Sequence, residues 1–268
     1  MARSLNTHKR APGLLYILAA LLVVGVAGAR FLGFAPPGDR PLPPPGGAPS
    51  GQGEQAPGPS PGVLPAPSAM SQVLIYHTHT TENYHPEPTH ADRGPGDVVK
   101  VGQAVVEALR ERGVGAVHVA TVHDLPDWRS ADQRARESVT QSLARHDGIR
   151  VVLDVHRDAL PQGQGGRGAT VTVNGEEVAR ILLIVGTSQN PFAQENTRYA
   201  NRLKEKLEEL APGITRGVRL LAQPTHGDLH EHSVTVYVGD YAGSTLEQAL
   251  RAARILGEAV AALLQEDA

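Results

Sequence analysis

The 268-residue chain has no cysteine, 40% hydrophobic residues and a formal net charge of −3. Disulfides and thiolate metal sites are therefore excluded, and a metal would have to be held by His, Asp or Glu. Residues 1–70 carry five Lys/Arg against two Asp/Glu, which leaves −6 on the remainder and argues against nucleic acid as a partner.

Arg3, His8, Lys9 and Arg10 precede an uncharged run from Ala11 to Ala29, which stops at Arg30 and resumes with Phe31, Leu32 and Phe34. About 20 apolar residues can span a bilayer as a helix. Flanking positive charge keeps the N-terminus inside. This predicts a cytoplasmic N-terminus over 1–10, a single-pass membrane anchor over 11–34 and an extracytoplasmic remainder. A cleaved signal peptide competes with this reading, because Ala27-Gly28-Ala29 resembles a cleavage site; the apolar continuation past Arg30 favours the anchor. Residues 35–70 hold twelve of the 21 prolines, with only Leu42, Val63, Leu64 and Met70 as large apolar residues. That composition cannot offset its ordering entropy and predicts a disordered linker, acting as a tether. Residues 71–268 suit one domain.

Within that domain strands and helices alternate. Gln72–Tyr76 reads as a strand, followed by a His-rich loop and a helix from Asp97 to about Arg112, ended by Gly113. Gly115–Ala120 is a second strand, Ser130–Arg145 a second helix and Arg150–Val155 a third strand. Thr170-Val171-Thr172-Val173-Asn174-Gly175 signals a hairpin, with Ala179–Val185 as the expected partner. A helix follows from Asn190-Pro191 to about Leu210, then short strands at Val218–Ala222 and Val234–Val238. A last helix, capped by Ser244, runs to about Leu264. The expected fold is α/β: a mixed, mostly parallel sheet flanked by helices.

Two strands end in histidine. Val73-Leu74-Ile75-Tyr76 leads into His77-Thr78-His79-Thr80-Thr81-Glu82, and Val151-Val152-Leu153 leads into Asp154-Val155-His156-Arg157-Asp158. Sites in open α/β sheets form beyond the carboxyl ends of the strands, so these residues point to one metal site. His77 and His79 alternate along an extended chain and face opposite ways; His79 is the expected ligand, beside His156. Asp97, at the start of the first helix, is the expected third ligand, with Glu82 as the alternative. A helix cap without metal is the competing role for Asp97. Asp240, after the Val234–Val238 strand, is the expected general base on metal-activated water. Arg157 and Asp158 orient substrate or His156, or pair with each other. A second cluster, His226, His230 and His232, is a weaker metal candidate.

With these residues placed, the chain resembles the stage II sporulation protein P family of cell-wall hydrolases. The resemblance rests on Ile75-Tyr76-His77-Thr78-His79-Thr80-Thr81-Glu82, Val98-Val99-Lys100-Val101-Gly102 and Asp154-Val155-His156-Arg157-Asp158. It extends through Val185-Gly186, Asn190-Pro191, Asn196 and Pro212-Gly213-Ile214-Thr215-Arg216-Gly217-Val218. It implies a zinc (Zn2+) N-acetylmuramoyl-L-alanine amidase fold, a peptidoglycan substrate, a membrane anchor and sporulation septum proteins as partners during engulfment. One stretch departs. Where the family carries Leu-Ile-Glu-Ile-Gly-Gly, this chain has Val238-Gly239-Asp240-Tyr241-Ala242-Gly243. Asp240 replaces the family's Glu if the turn is two residues shorter, and Val238 stands there without that gap. The departure implies a second reading, a weakened or non-cleaving peptidoglycan-binding relative. A barrel amidohydrolase, which also carries His-x-His, needs about 250 residues, more than the domain offers.

Overall fold

The computed structural model describes residues 70–159 and 168–268. The expected anchor over 11–34 and all of the expected linker except Met70 lie outside these residues. Among the described residues no helix is long and apolar enough to cross a membrane.

The elements run β1 (Ser71–Tyr76), α1 (Asp97–Glu111), β2 (Gly115–Val119), α2 (Ala131–Arg145), β3 (Val151–Asp158), β4 (Thr170–Val173), β5 (Glu176–Ala179), β6 (Ile181–Gly186), α3 (Ala193–Leu210), β7 (Thr215–Leu221), β8 (Ser233–Asp240) and α4 (Leu246–Glu266). Six strands form one sheet in the order β2-β1-β3-β8-β6-β7. Every neighbouring pair is parallel except β6–β8. The expected mixed, mostly parallel sheet is thus present, but its antiparallel pair has a different origin. The Asn174-Gly175 turn pairs β4 with β5 in a separate two-stranded ribbon. The apolar run expected to pair across that turn splits at Arg180: its first residue closes the ribbon, and Ile181–Gly186 enters the main sheet as a fully buried strand.

The two-residue period of β3 divides the molecule. Val151, Leu153 and Val155 join Val73 and Ile75 of β1 and Val234, Val236 and Val238 of β8 in the main core. That core is covered by α1, α3 and α4. Val152 faces the other way with Leu74 and Tyr76, under Ala135 and Val139 of α2. Asp154 and His156 share the alternation of Val152 and so belong to the α2 face.

α4 is capped by Thr245, not Ser244. The Thr245 hydroxyl accepts the Gln248 N–H at 3.3 Å while the Gln248 side chain returns to the Thr245 N–H at 2.9 Å, a capping box. Ser244 is instead buried and directs its Oγ toward the Asp240 N–H. α4 packs on α1 through small residues. At Gly257 a Cβ would lie 2.7 Å from the Cβ of Ala108 and 2.9 Å from the Val105 carbonyl oxygen. Gly257→Val forces these helices apart, and we expect a loss of about 1–3 kcal/mol, read as a lowered midpoint in chemical denaturation. An unchanged midpoint would show that the two helices do not pack this closely.

Candidate metal centre

β1, β3 and β8 are adjacent and parallel, so their carboxyl ends reach the same edge of the sheet. At that edge, ligand atoms of His79, Glu82 and His156 all lie within 4.8 Å of one another. Glu82 and His156 are buried and His79 is half-buried. The His156 ring is held between two carboxylates. Its Nδ1 is 3.1 Å from Glu82 Oε2 and its Nε2 is 2.9 Å from Asp154 Oδ1. The His79 and His156 rings meet edge to face, 5.3 Å between centroids.

The loop carrying His79 and Glu82 is fixed at several points. Asp154 accepts the Thr78 backbone N–H at 2.9 Å and the Thr78 hydroxyl at 2.7 Å. Farther on, Val98 donates its N–H to the Glu82 carbonyl at 3.0 Å, and Gly96 donates to the Thr80 carbonyl at 2.8 Å. Only glycine permits that approach, because a Cβ at position 96 would lie 2.3 Å from the Thr81 carbonyl oxygen. Arg157 completes the clamp. Its backbone N–H reaches Glu82 Oε2 at 3.2 Å, Nε donates to the Asn83 carbonyl at 3.1 Å, and Nη2 donates to the Thr89 carbonyl at 2.9 Å. The guanidinium also lies 5.5 Å from the Tyr241 ring centroid.

Burial opposes charge on every member of this group, and for all but His79 the charged neighbours decide the outcome. For His156 burial disfavours the cation, but Asp154 and Glu82 outweigh it and raise its pKa well above the ordinary value. For Asp154 burial favours the neutral acid, yet His156 and the Thr78 N–H hold the carboxyl well below the usual range. Glu82 is likewise lowered, against burial, by His156 and Arg157. His79 is lowered by burial and by His156.

Two imidazoles and a carboxylate form the three-ligand set typical of catalytic zinc sites. Asp154 on the far nitrogen of His156 is the partner that fixes the orientation of a metal-bound histidine. The residues present therefore fit a divalent cation.

The sequence-based expectations divide as follows. The structure brings His79 and His156 together, with Glu82, the alternative third ligand, in place of Asp97. Asp97 is the first residue of α1, behind an N-cap at Gly96. Its N–H bonds the Asn83 side chain at 2.9 Å, and its carboxylate takes Lys100 Nζ at 2.8 Å. Nor does its side chain cap the helix: the N-cap is Gly96, with no side-chain cap hydrogen bond. His77 faces away as expected, with Nδ1 2.7 Å from the Val155 carbonyl oxygen and Nε2 2.9 Å from His118 Nε2. Arg157 and Asp158 do not pair with each other: Asp158 takes Arg216 instead. Asp240 is buried and pairs in register with Asp158. Its Oδ1 accepts the Ala242 N–H at 3.1 Å, which holds the turn after β8, and it is not in the three-residue cluster. The rings of His226, His230 and His232 meet Tyr76, the Ile149 carbonyl and the Arg150 carbonyl, and His230 Nδ1 also accepts the His232 backbone N–H at 3.0 Å.

Three residues at the site escaped the sequence reading. Asp154 was visible only as part of its motif; its period-two relation to His156 was the available signal. Tyr237 pairs in register with His156, with ring centroids 5.7 Å apart. It is thus Tyr237, rather than Asp240 or Val238, that β8 presents to His156. Burial, with Glu82 and Asp154 nearby, raises its pKa. Its hydroxyl makes no hydrogen bond among the described residues. Trp128 lies flat on His79, 3.8 Å between centroids and 4° from parallel; nothing in its local sequence marks it.

A sequence profile of the family described as Stage II sporulation protein P (SpoIIP) matches residues 52–261. The chain belongs to that family. Among characterised relatives, Stage II sporulation protein P of Bacillus subtilis (strain 168) is 30% identical over 176 residues, covering 61% of this chain and 42% of that protein. The chain thus spans under half the length of that relative. Solved structures with a similar fold include the N-acetylmuramoyl-L-alanine amidase AmiC2 of Nostoc punctiforme, 14% identical with a TM-score of 0.45, covering 75% of this chain and 98% of that one. Another is the CwlD amidase of Clostridioides difficile in complex with the GerS lipoprotein, 11% identical with a TM-score of 0.47, covering 73% and 98%. These two likenesses are distant, and family membership rests on the sequence match alone.

Two predictions follow from this geometry. In calorimetric zinc titrations, Glu82→Gln and His156→Ala abolish tight binding, Asp154→Asn weakens it about 10–100-fold, and Asp97→Asn leaves it unchanged. Loss of binding in Asp97→Asn with retention in Glu82→Gln would restore the ligand set expected from sequence. The second concerns His77, which burial and the adjacent His118 push down from 6.5 to about 3. The unfolded chain takes up that proton near 6.5, so the contribution is complete above this pH and falls away as pH drops toward 3. The slope is about 1.4 kcal/mol per pH unit. His77→Gln makes the decline shallower between about pH 6 and about pH 4.5 in denaturation curves; an unaltered slope would contradict it.

Proposed function

We propose that the chain is a membrane-anchored, extracytoplasmic peptidoglycan hydrolase that uses zinc to cleave the amide between glycan strand and stem peptide during sporulation, beside other septum proteins. One observation carries the reading: the His79–Glu82–His156 cluster, braced by Asp154, at the carboxyl edge of the sheet. Family membership and the N-terminal sequence pattern support it.

A divalent cation held by His79, Glu82 and His156 would act as a Lewis acid, polarising an amide carbonyl and acidifying water. The protein supplies the rest. Asp154 fixes the orientation of His156, and Arg157 holds Glu82 in place. Arg157 is in turn covered by Tyr241, whose N–H bonds the Asp158 carbonyl at 2.8 Å and whose position depends on the turn held by Asp240. We therefore give Asp240 a positioning role in place of the base expected from sequence. Tyr237 places a protonated hydroxyl beside His156, where it donates a hydrogen bond to the carbonyl oxygen as negative charge develops.

The same tyrosine favours a second reading. A phenol kept protonated is a poor proton acceptor, so β8 presents His156 with a donor where hydrolysis needs a base. On that reading the domain binds peptidoglycan and cleaves it slowly or not at all.

The test incubates the full chain with peptidoglycan, with and without chelator, and identifies released fragments by mass spectrometry. Chelator-sensitive release of free stem peptides is expected. Tyr237→Phe slows it about 10²–10³-fold, and Asp240→Asn slows it less. Wall binding without release, together with a gain of release in Tyr237→Glu, would establish the second reading.

A further inference from the structure

Trp128 is the chain's only tryptophan. It sits in a single 3₁₀ turn, Trp128–Ser130, between β2 and α2. Four large apolar side chains are exposed among the described residues: Met70, Trp128, Leu210 and Leu220. Trp128 alone among them touches the metal cluster. Its indole is parallel to the His79 imidazole at 3.8 Å, and the His90 ring meets it edge to face at 5.3 Å. Nearly half of its surface, 49%, stays open. A side chain that could bury a large apolar area on folding instead stands at the rim of the site.

The two flanks of the cluster differ in chemistry. On the His156 flank lies Tyr237, whose hydroxyl makes no hydrogen bond among the described residues and suits an amide. On the His79 flank lies the flat, open indole. A sugar ring offers a face of C–H groups to an aromatic plane while its hydroxyls bond to the surroundings, and here exposed Asp127 and Arg129 supply polar neighbours. In the amide proposed above, the muramic acid ring is only a few bonds from the scissile carbonyl. It is therefore the ring of this substrate class that falls within one ring's thickness of His79.

We propose that Trp128 is a stacking platform for the glycan strand, seating the N-acetylmuramic acid ring on the indole face that His79 leaves uncovered and thereby directing the stem peptide across His156 toward Tyr237. This rests on the peptidoglycan reading and adds to it an orientation of the substrate.

The single tryptophan makes its own probe. The full chain, saturated with zinc, is titrated with the peptide-free disaccharide of N-acetylglucosamine and N-acetylmuramic acid, and separately with the free stem pentapeptide. The disaccharide is expected to change the Trp128 emission saturably and the pentapeptide to leave it unaltered. Calorimetry is expected to show disaccharide binding weakened about tenfold in Trp128→Ala and largely restored in Trp128→Tyr. Three results would overturn the inference: no emission change with millimolar disaccharide, equal affinity in Trp128→Ala, or an emission change with the pentapeptide instead. Release of stem peptides from intact peptidoglycan is followed alongside. Persisting release without a disaccharide effect defeats the platform alone; disaccharide stacking without release defeats the hydrolase reading alone.

Discussion

Asp154 is the constraint on which the site depends. Its carboxylate is buried within β3, where an uncompensated charge would be costly. It is compensated from two directions, by the Thr78 N–H and hydroxyl at the end of β1 and by the His156 ring two residues along its own strand. One side chain thus joins the two strands that deliver the cluster and sets the entry angle of the loop carrying His79 and Glu82. Breaking such a buried network by removing one partner leaves the others unpaired, and that penalty exceeds the net worth of the contacts themselves.

The rest of the architecture supplies that junction with rigid walls. The alternation of β3 sends three valine or leucine side chains into the main core and leaves Asp154 and His156 on the α2 face, so packing and chemistry occupy opposite sides of one strand. Glycine supplies the close approaches: Gly96 lets the loop backbone lie against the start of α1, and Gly257 lets α4 lie against α1. Neither position has room for another side chain, so the loop's path is fixed by backbone contacts before any ligand is considered.

Much of this was legible in the sequence, and the failures have physical causes. The elements, the parallel core of the sheet and the pairing of His79 with His156 follow from apolar period and from strands that end in histidine. The opposite facing of His77 follows from the same period. Asp97 and Glu82 are both carboxylates near one edge, and local pattern does not separate them: Glu82 lies in the cluster, whereas the Asp97 carboxylate takes Lys100 one turn along its own helix. The hairpin partner was displaced because an apolar run of this length does not reveal that Arg180 divides it. Tyr237 is not legible in the sequence because its place beside His156 is a matter of register between β3 and β8, which no local pattern prints. Trp128 reaches His79 from another loop altogether.

The central claim is that His79, Glu82 and His156 form one metal centre. It is tested most directly by crystallising the zinc-loaded protein and locating the ion by its anomalous scattering at the zinc absorption edge. The account predicts a single strong peak bonded to His79, Glu82 and His156, with Asp154 still on the far nitrogen of His156. A peak ligated by Asp97 with Glu82 turned away, or none at this edge of the sheet in a crystal grown with zinc, would contradict it.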